Sequence, residues 1–98
     1  MASASLKIPR TFELAGRTWR VKRVGKRSWY GRTNAAECVI HISSKSKDAE
    51  EELHTFLHEL MHAIAWAMGW DKMFRDETRI DALSSLLLQV LETSKGKA

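Results

Sequence analysis

A chain of 98 residues can bury one modest core without disulfides, so a single domain over 1–98 is expected, with 1–10 and 94–98 as loose ends. Hydrophobic content of 44% and charged content of 29% suit an ordinary globular protein, and no apolar run approaches the roughly 20 residues of a membrane span. The opening seven residues lack an apolar signal core and the lone Cys38 has no disulfide partner, so no membrane association or secretion is expected and a cytoplasmic, reducing setting is.

The net charge of +4 is unevenly spread. Residues 1–47 hold 11 Lys or Arg against Glu13 and Glu37, net +9, whereas 48–98 hold 5 basic and 10 acidic residues, net −5. A basic front half admits a nucleic acid or an acidic partner, and Trp19 and Trp29 among its cations would allow base stacking. A solvated sheet face explains the run more simply, so nucleic acid is not the favoured partner.

In chain order, 11–14 reads as a short strand and Ala15-Gly16-Arg17 as a tight turn. Residues 18–24 alternate apolar and charged, as a half-buried strand does. A polar loop over 25–28 leads to a third strand at 29–33, weakened by Gly31, and 34–36 forms a turn. The strongest strand pattern is 37–42, with Cys38, Ile40 and Ile42 on one face and Val39 and His41 on the other. Asp48 with Glu51 three residues on has the spacing of a capping box, Ser46 being the competing cap, and opens a helix over 49–68 that Gly69 stops. Residues 70–75 connect. A second helix runs from about Asp76 to Thr93, with Ile80, Leu83, Leu87 and Leu91 as its apolar stripe, broadened by Leu86, Leu88 and Val90. The expected fold is therefore α+β: a small, mostly antiparallel sheet of three or four strands followed by two packed helices.

The first helix carries His58-Glu59-Leu60-Met61-His62. Residues four apart on a helix lie one turn apart on the same side, so the two imidazoles aim at one point, which suits a tetrahedral zinc ion. Glu59, beside the first of them, can take a proton from water on the metal. Leu53, Phe56, Leu57, Leu60, Ile64 and Met68 recur at helical spacing, which sets the motif on an amphipathic helix.

A catalytic zinc needs a third protein ligand. Glu77, Asp81, Asp76, His41, His54 and Cys38 are the candidates. His54 sits one turn upstream of His58, roughly 6 Å along the axis, and three histidines in a row wrap a tetrahedron poorly. Cys38 reads as a buried thiol. Glu77 opens the second helix and can close the site from across the first; Asp81, one turn later, can orient a liganding ring. Both acids also suit a helix N-terminus, so the choice stays open on spacing alone. Trp66 and Trp70, with Met68 and Met73, read as cover for the end of the first helix.

His58-Glu59-Leu60-Met61-His62 followed by Glu77-Thr78-Arg79-Ile80-Asp81 resembles the gluzincin arrangement of zinc metallopeptidases. The order of strands and helices over about 12–93 is similar to the small phage-encoded members of the ImmA/IrrE-like and SprT-like minimal metallopeptidases. The resemblance implies His58, His62 and Glu77 as ligands of Zn2+, Glu59 as general base, and Asp81 behind a ligand. It also implies a peptide or protein substrate laid along the edge of strand 37–42, and a host cytoplasm if a phage encodes the chain. The expected function is hydrolysis of peptide bonds through a water activated by zinc and Glu59. Two alternatives stand beside it: a non-catalytic, zinc-stabilised assembly or regulatory module, and a nucleic-acid-binding protein working through its basic front half.

Overall fold

The alternation of residues 11–42 produces four short strands: β1 (Thr11–Leu14), β2 (Arg17–Arg23), β3 (Gly31–Asn34) and β4 (Val39–Ile42). A computed structural model describes residues 7–96. Ala15 and Gly16 join β1 to β2 with φ of 52° and 78°. Two successive positive φ values match the right-handed twist of the flanking strands, which is why such turns close hairpins.

The sheet order is β1-β2-β4-β3. β1–β2 and β3–β4 pair antiparallel, but β2 and β4 run parallel. The sheet is thus mixed, with two of its three pairings antiparallel, in keeping with the mostly antiparallel sheet expected. The loop after β2 carries the chain past a vacant strand position, β3 forms the outer edge, and β4 returns to fill the gap. The consequence is that β4 lies in the middle, with both edges paired, so it cannot offer an edge to a peptide as expected. Its composition agrees with its place: Val39, Ile40 and Ile42 are all buried, as a central strand requires. Glu37 and Cys38 belong to the preceding turn, not the strand. Cys38 takes φ 55°, its amide donates to the Ala35 carbonyl, and the Asn34 side chain holds Glu37.

Three helices follow, not two: α1 (Ala49–Ala67), α2 (Asp71–Phe74) and α3 (Glu77–Thr93). Asp48 caps α1 by accepting from the Glu51 amide at 2.8 Å, and Glu51 accepts from the Lys47 amide at 2.9 Å. The second bond reaches one residue further back than in a regular capping box. At the other end Gly69 has φ 71°, its amide donates to the Trp66 carbonyl, and the Trp70 amide donates to Ala65. That pair of bonds is the Schellman stop that glycine makes inexpensive. The turn of helix α2 then occupies what the sequence left as a connection.

Helix α1 packs on β3 and β4, and α3 packs on α1. The core between sheet and helices gathers Trp19, Ile40, Ile42, Leu53, Phe56 and Leu57. Phe12 stacks on Trp19 at 6.0 Å and Trp66 meets it edge-on at 6.3 Å. Trp66 is thereby half cover, while Met68 and Trp70 stay exposed. On α3 the buried line is Ile80, Ser84 and Leu88, with Leu87 and Leu91 packed alongside. Leu83, Leu86 and Val90 are exposed, so the apolar stripe is wider than the face it buries.

Candidate metal centre

Helical geometry sets the rings of His58 and His62 5.1 Å apart on one side of α1. The cap at Asp76, which accepts from the Arg79 amide at 3.0 Å, starts α3 so that Glu77 faces them. Glu77 places Oε1 2.5 Å from His62 Nε2 and Oε2 3.2 Å from His58 Nε2. One ligand atom from each of the three residues lies within 4.8 Å of the others, and among the described residues this is the group that can hold a metal ion.

The hydrogen bonds behind the rings decide what those nitrogens can do. His62 Nδ1 is 2.7 Å from the Phe74 carbonyl, which can only accept, so Nδ1 carries the proton. A neutral His62 then turns a bare Nε2 towards a carboxylate oxygen: two acceptors face one another. A proton shared by the two atoms, or a cation ligated by both, would relieve that contact. His58 is similar, with Asp81 Oδ1 3.3 Å behind Nδ1 and Glu77 before Nε2. Two imidazole nitrogens and a carboxylate, each ring fixed by an acceptor on its far side, form a donor set that fits a divalent ion.

Glu59 lies on the same turn but points towards the sheet. It is buried, and the Thr33 hydroxyl lies 2.7 Å from its Oε1 and 3.0 Å from its own carbonyl oxygen. Loss of water raises the Glu59 carboxyl above its usual range of about 4.5. The Thr33 hydrogen bond and the charges of His58 and His62 pull it back down, and Glu77 adds to the rise. A carboxyl held in this way keeps its proton to higher pH than a solvated one, as suits a group that exchanges protons with water.

β3 can lie this close to α1 only because residue 31 is glycine. A Cβ there would be 2.6 Å from Thr55 Cγ2 and 3.0 Å from Glu59 Cγ. A groove of about 450 Å3 opens beside the cluster, walled by Trp29, Tyr30 and Gly31 on one side and His54, Glu77 and Asp81 on the other.

The remaining candidates lie elsewhere. His54 points Nε2 at the Ser85 and Ser84 hydroxyls, 3.1 and 3.3 Å away, and at Asp81, 3.7 Å away. His41 lies on the sheet, Cys38 is buried in the core, and Asp76 is occupied as a cap. Thr33 and Phe74 were not singled out in the sequence. Thr33 had a signal, being a hydroxyl on the inward parity of a strand next to glycine. Phe74 acts through its main chain, which no side-chain pattern reports. Comparison of the chain with protein-family models, curated proteins and solved structures gives no match, so the case for this centre rests on its geometry.

Proposed function

We propose that the protein is a zinc-dependent peptidase, with His58, His62 and Glu77 as the metal ligands and Glu59 as the general base. The observation that carries this reading is the convergence of His58, His62 and Glu77, each offering one ligand atom within 4.8 Å of the others. Two nitrogens and one oxygen favour zinc over the hard, all-oxygen cations. When bound, such an ion polarises a carbonyl and acidifies water.

The chain's own residues supply the rest. Glu59, raised by burial, accepts a proton from the attacking water and returns it to the departing amine. Thr33 keeps the carboxylate turned to one side of the groove. The ring partners Phe74 and Asp81 keep the ligand nitrogens aimed. The substrate edge moves from β4 to β3, the outer strand, whose first residue, Gly31, lines the groove. An extended peptide adding there would pair its main chain with Gly31–Asn34 and present a carbonyl to the cluster.

A purely structural zinc is the rival reading. Structural sites are closed by four protein ligands, whereas this cluster has three and faces an open groove, with the Glu77 side chain 67% exposed. Metal analysis of the purified protein, paired with a peptidase assay of wild type and Glu59→Gln, tests the proposal. Stoichiometric zinc with cleavage abolished by Glu59→Gln is expected. Protein that neither contains nor takes up zinc would refute the centre. Zinc without cleavage of any peptide would leave only the structural role.

A further inference from the structure

Among the described residues the helices pack on one face of the sheet; on the other, Val39 is buried while Arg20, Lys22 and Arg32 are exposed. Register assigns the residues of that outer face. Lys22 is opposite His41, and His41 is opposite Arg32, so three basic side chains form a row across β2, β4 and β3. Arg20 lies two residues from Lys22 on the same face, opposite Val39. Next to Arg32, the Trp29 ring carries the Arg32 guanidinium at 4.8 Å and that of Arg27 at 6.0 Å.

Arg23, on the inner face, pairs with Glu52 at 2.6 Å, and Arg79 pairs with Asp76. Among the described residues, Arg20, Lys22 and Arg32 have no carboxylate within salt-bridge distance. Of the two acids of the front half, Glu13 lies on β1 opposite Thr18, diagonal to Arg20 on the same face, and accepts from the Thr18 hydroxyl, while Glu37 is held by Asn34. The row of Lys22, His41 and Arg32 itself holds no carboxylate.

We propose that this outer face, centred on Arg20, Lys22 and Arg32, binds the phosphate backbone of a nucleic acid. Strands lie about 4.8 Å apart, so the row spans about 10 Å, long enough to contact more than one phosphate of a strand laid across it. Recognition is through charge rather than bases. Trp19 is buried in the core and cannot stack, and Trp29 is engaged by its own arginines. Sequence-independent, salt-sensitive binding follows. The face lies behind the metal centre and does not use it, so the two readings stand or fall separately.

Fluorescence anisotropy with labelled single-stranded and duplex DNA and single-stranded RNA, titrated with salt, tests the assignment on the full chain. With about four phosphate contacts, affinity should fall roughly 100-fold between 50 and 200 mM salt. Lys22→Gln should lower the logarithmic salt slope by about one, and the combined R20E, K22E and R32E variant should abolish binding. A K72E and R79E variant, altered on the helices, should bind like wild type. Circular dichroism and zinc content confirm that each variant is folded. The inference is overturned by absence of binding at 50 mM salt, by a combined variant that is folded and binds unchanged, or by polyglutamate competing as well as the oligonucleotide.

Discussion

The two halves of the metal centre are built differently. On α1, His62 and Glu59 are buried and each is tied from behind, to the Phe74 carbonyl and the Thr33 hydroxyl. On α3, the side chains of Glu77 and Asp81 are 67% and 60% exposed and contact little besides the histidines. The α1 half is fixed by the fold, whereas the α3 half is held by one cap and the packing of two helices. On the proposed reading, the buried half would set the chemistry and the exposed half would complete the metal site.

If that division is right, the largest effect belongs to the buried carboxyl. Glu59→Gln keeps the shape and the Thr33 contact but loses the base. Turnover of a peptide substrate should drop by roughly 10²- to 10⁴-fold with zinc content unchanged. Undiminished cleavage by a zinc-loaded Gln variant would remove Glu59 from the mechanism. Next is the seam between β3 and the buried half. Gly31→Ala should destabilise the domain by about 1–3 kcal/mol, because the added methyl meets Thr55 and Glu59 on a helix that cannot retreat without disturbing the core. Thr55→Ser, which removes the nearest atom, should restore part of the loss in urea unfolding. No restoration would mean that the strand, not the helix, yields.

The exposed half should be more forgiving. Asp81→Asn leaves the ring of His58 a weaker acceptor, and zinc affinity should fall by roughly 10- to 100-fold in competition with a chelator. A loss as large as that of His62→Ala would show that the two halves are not distinct after all.

The same contrast explains what the sequence disclosed. Helix periodicity, the cap pair Asp48/Glu51 and Gly69 are local signals, so α1 and α3 and the residues they carry were legible within a residue or two. The position of β4 was not. Strand order depends on which neighbour a strand meets after the intervening chain has passed it, and the alternation of 37–42 is equally consistent with an edge or a centre. α2 escaped because four residues are too few for a period. Its contribution, a main-chain oxygen behind His62, leaves no mark on residue type. Leu83, Leu86 and Val90 illustrate the converse: apolar residues at helical spacing need not all be covered.

The smallest expected effects concern protons. Because the Glu59 carboxyl is raised in the folded state, the unfolded chain loses its proton first as pH increases. Between the ordinary carboxyl value and the raised one, the folded state binds more protons, so the metal-free protein should lose stability as pH climbs through that window. Below it, Glu59 contributes no such loss. Metal-free Glu59→Gln should therefore match wild type at acid pH and become the more stable of the two as pH rises towards neutrality, a divergence that thermal unfolding at a series of pH values would resolve. Thr33→Val removes a bond that favours the charged form, so it should widen the window and move the acid limb of any peptidase activity to higher pH. A limb that does not move would mean the hydroxyl serves the Glu59 carbonyl rather than its carboxylate, and the buried half would be tied through its main chain alone.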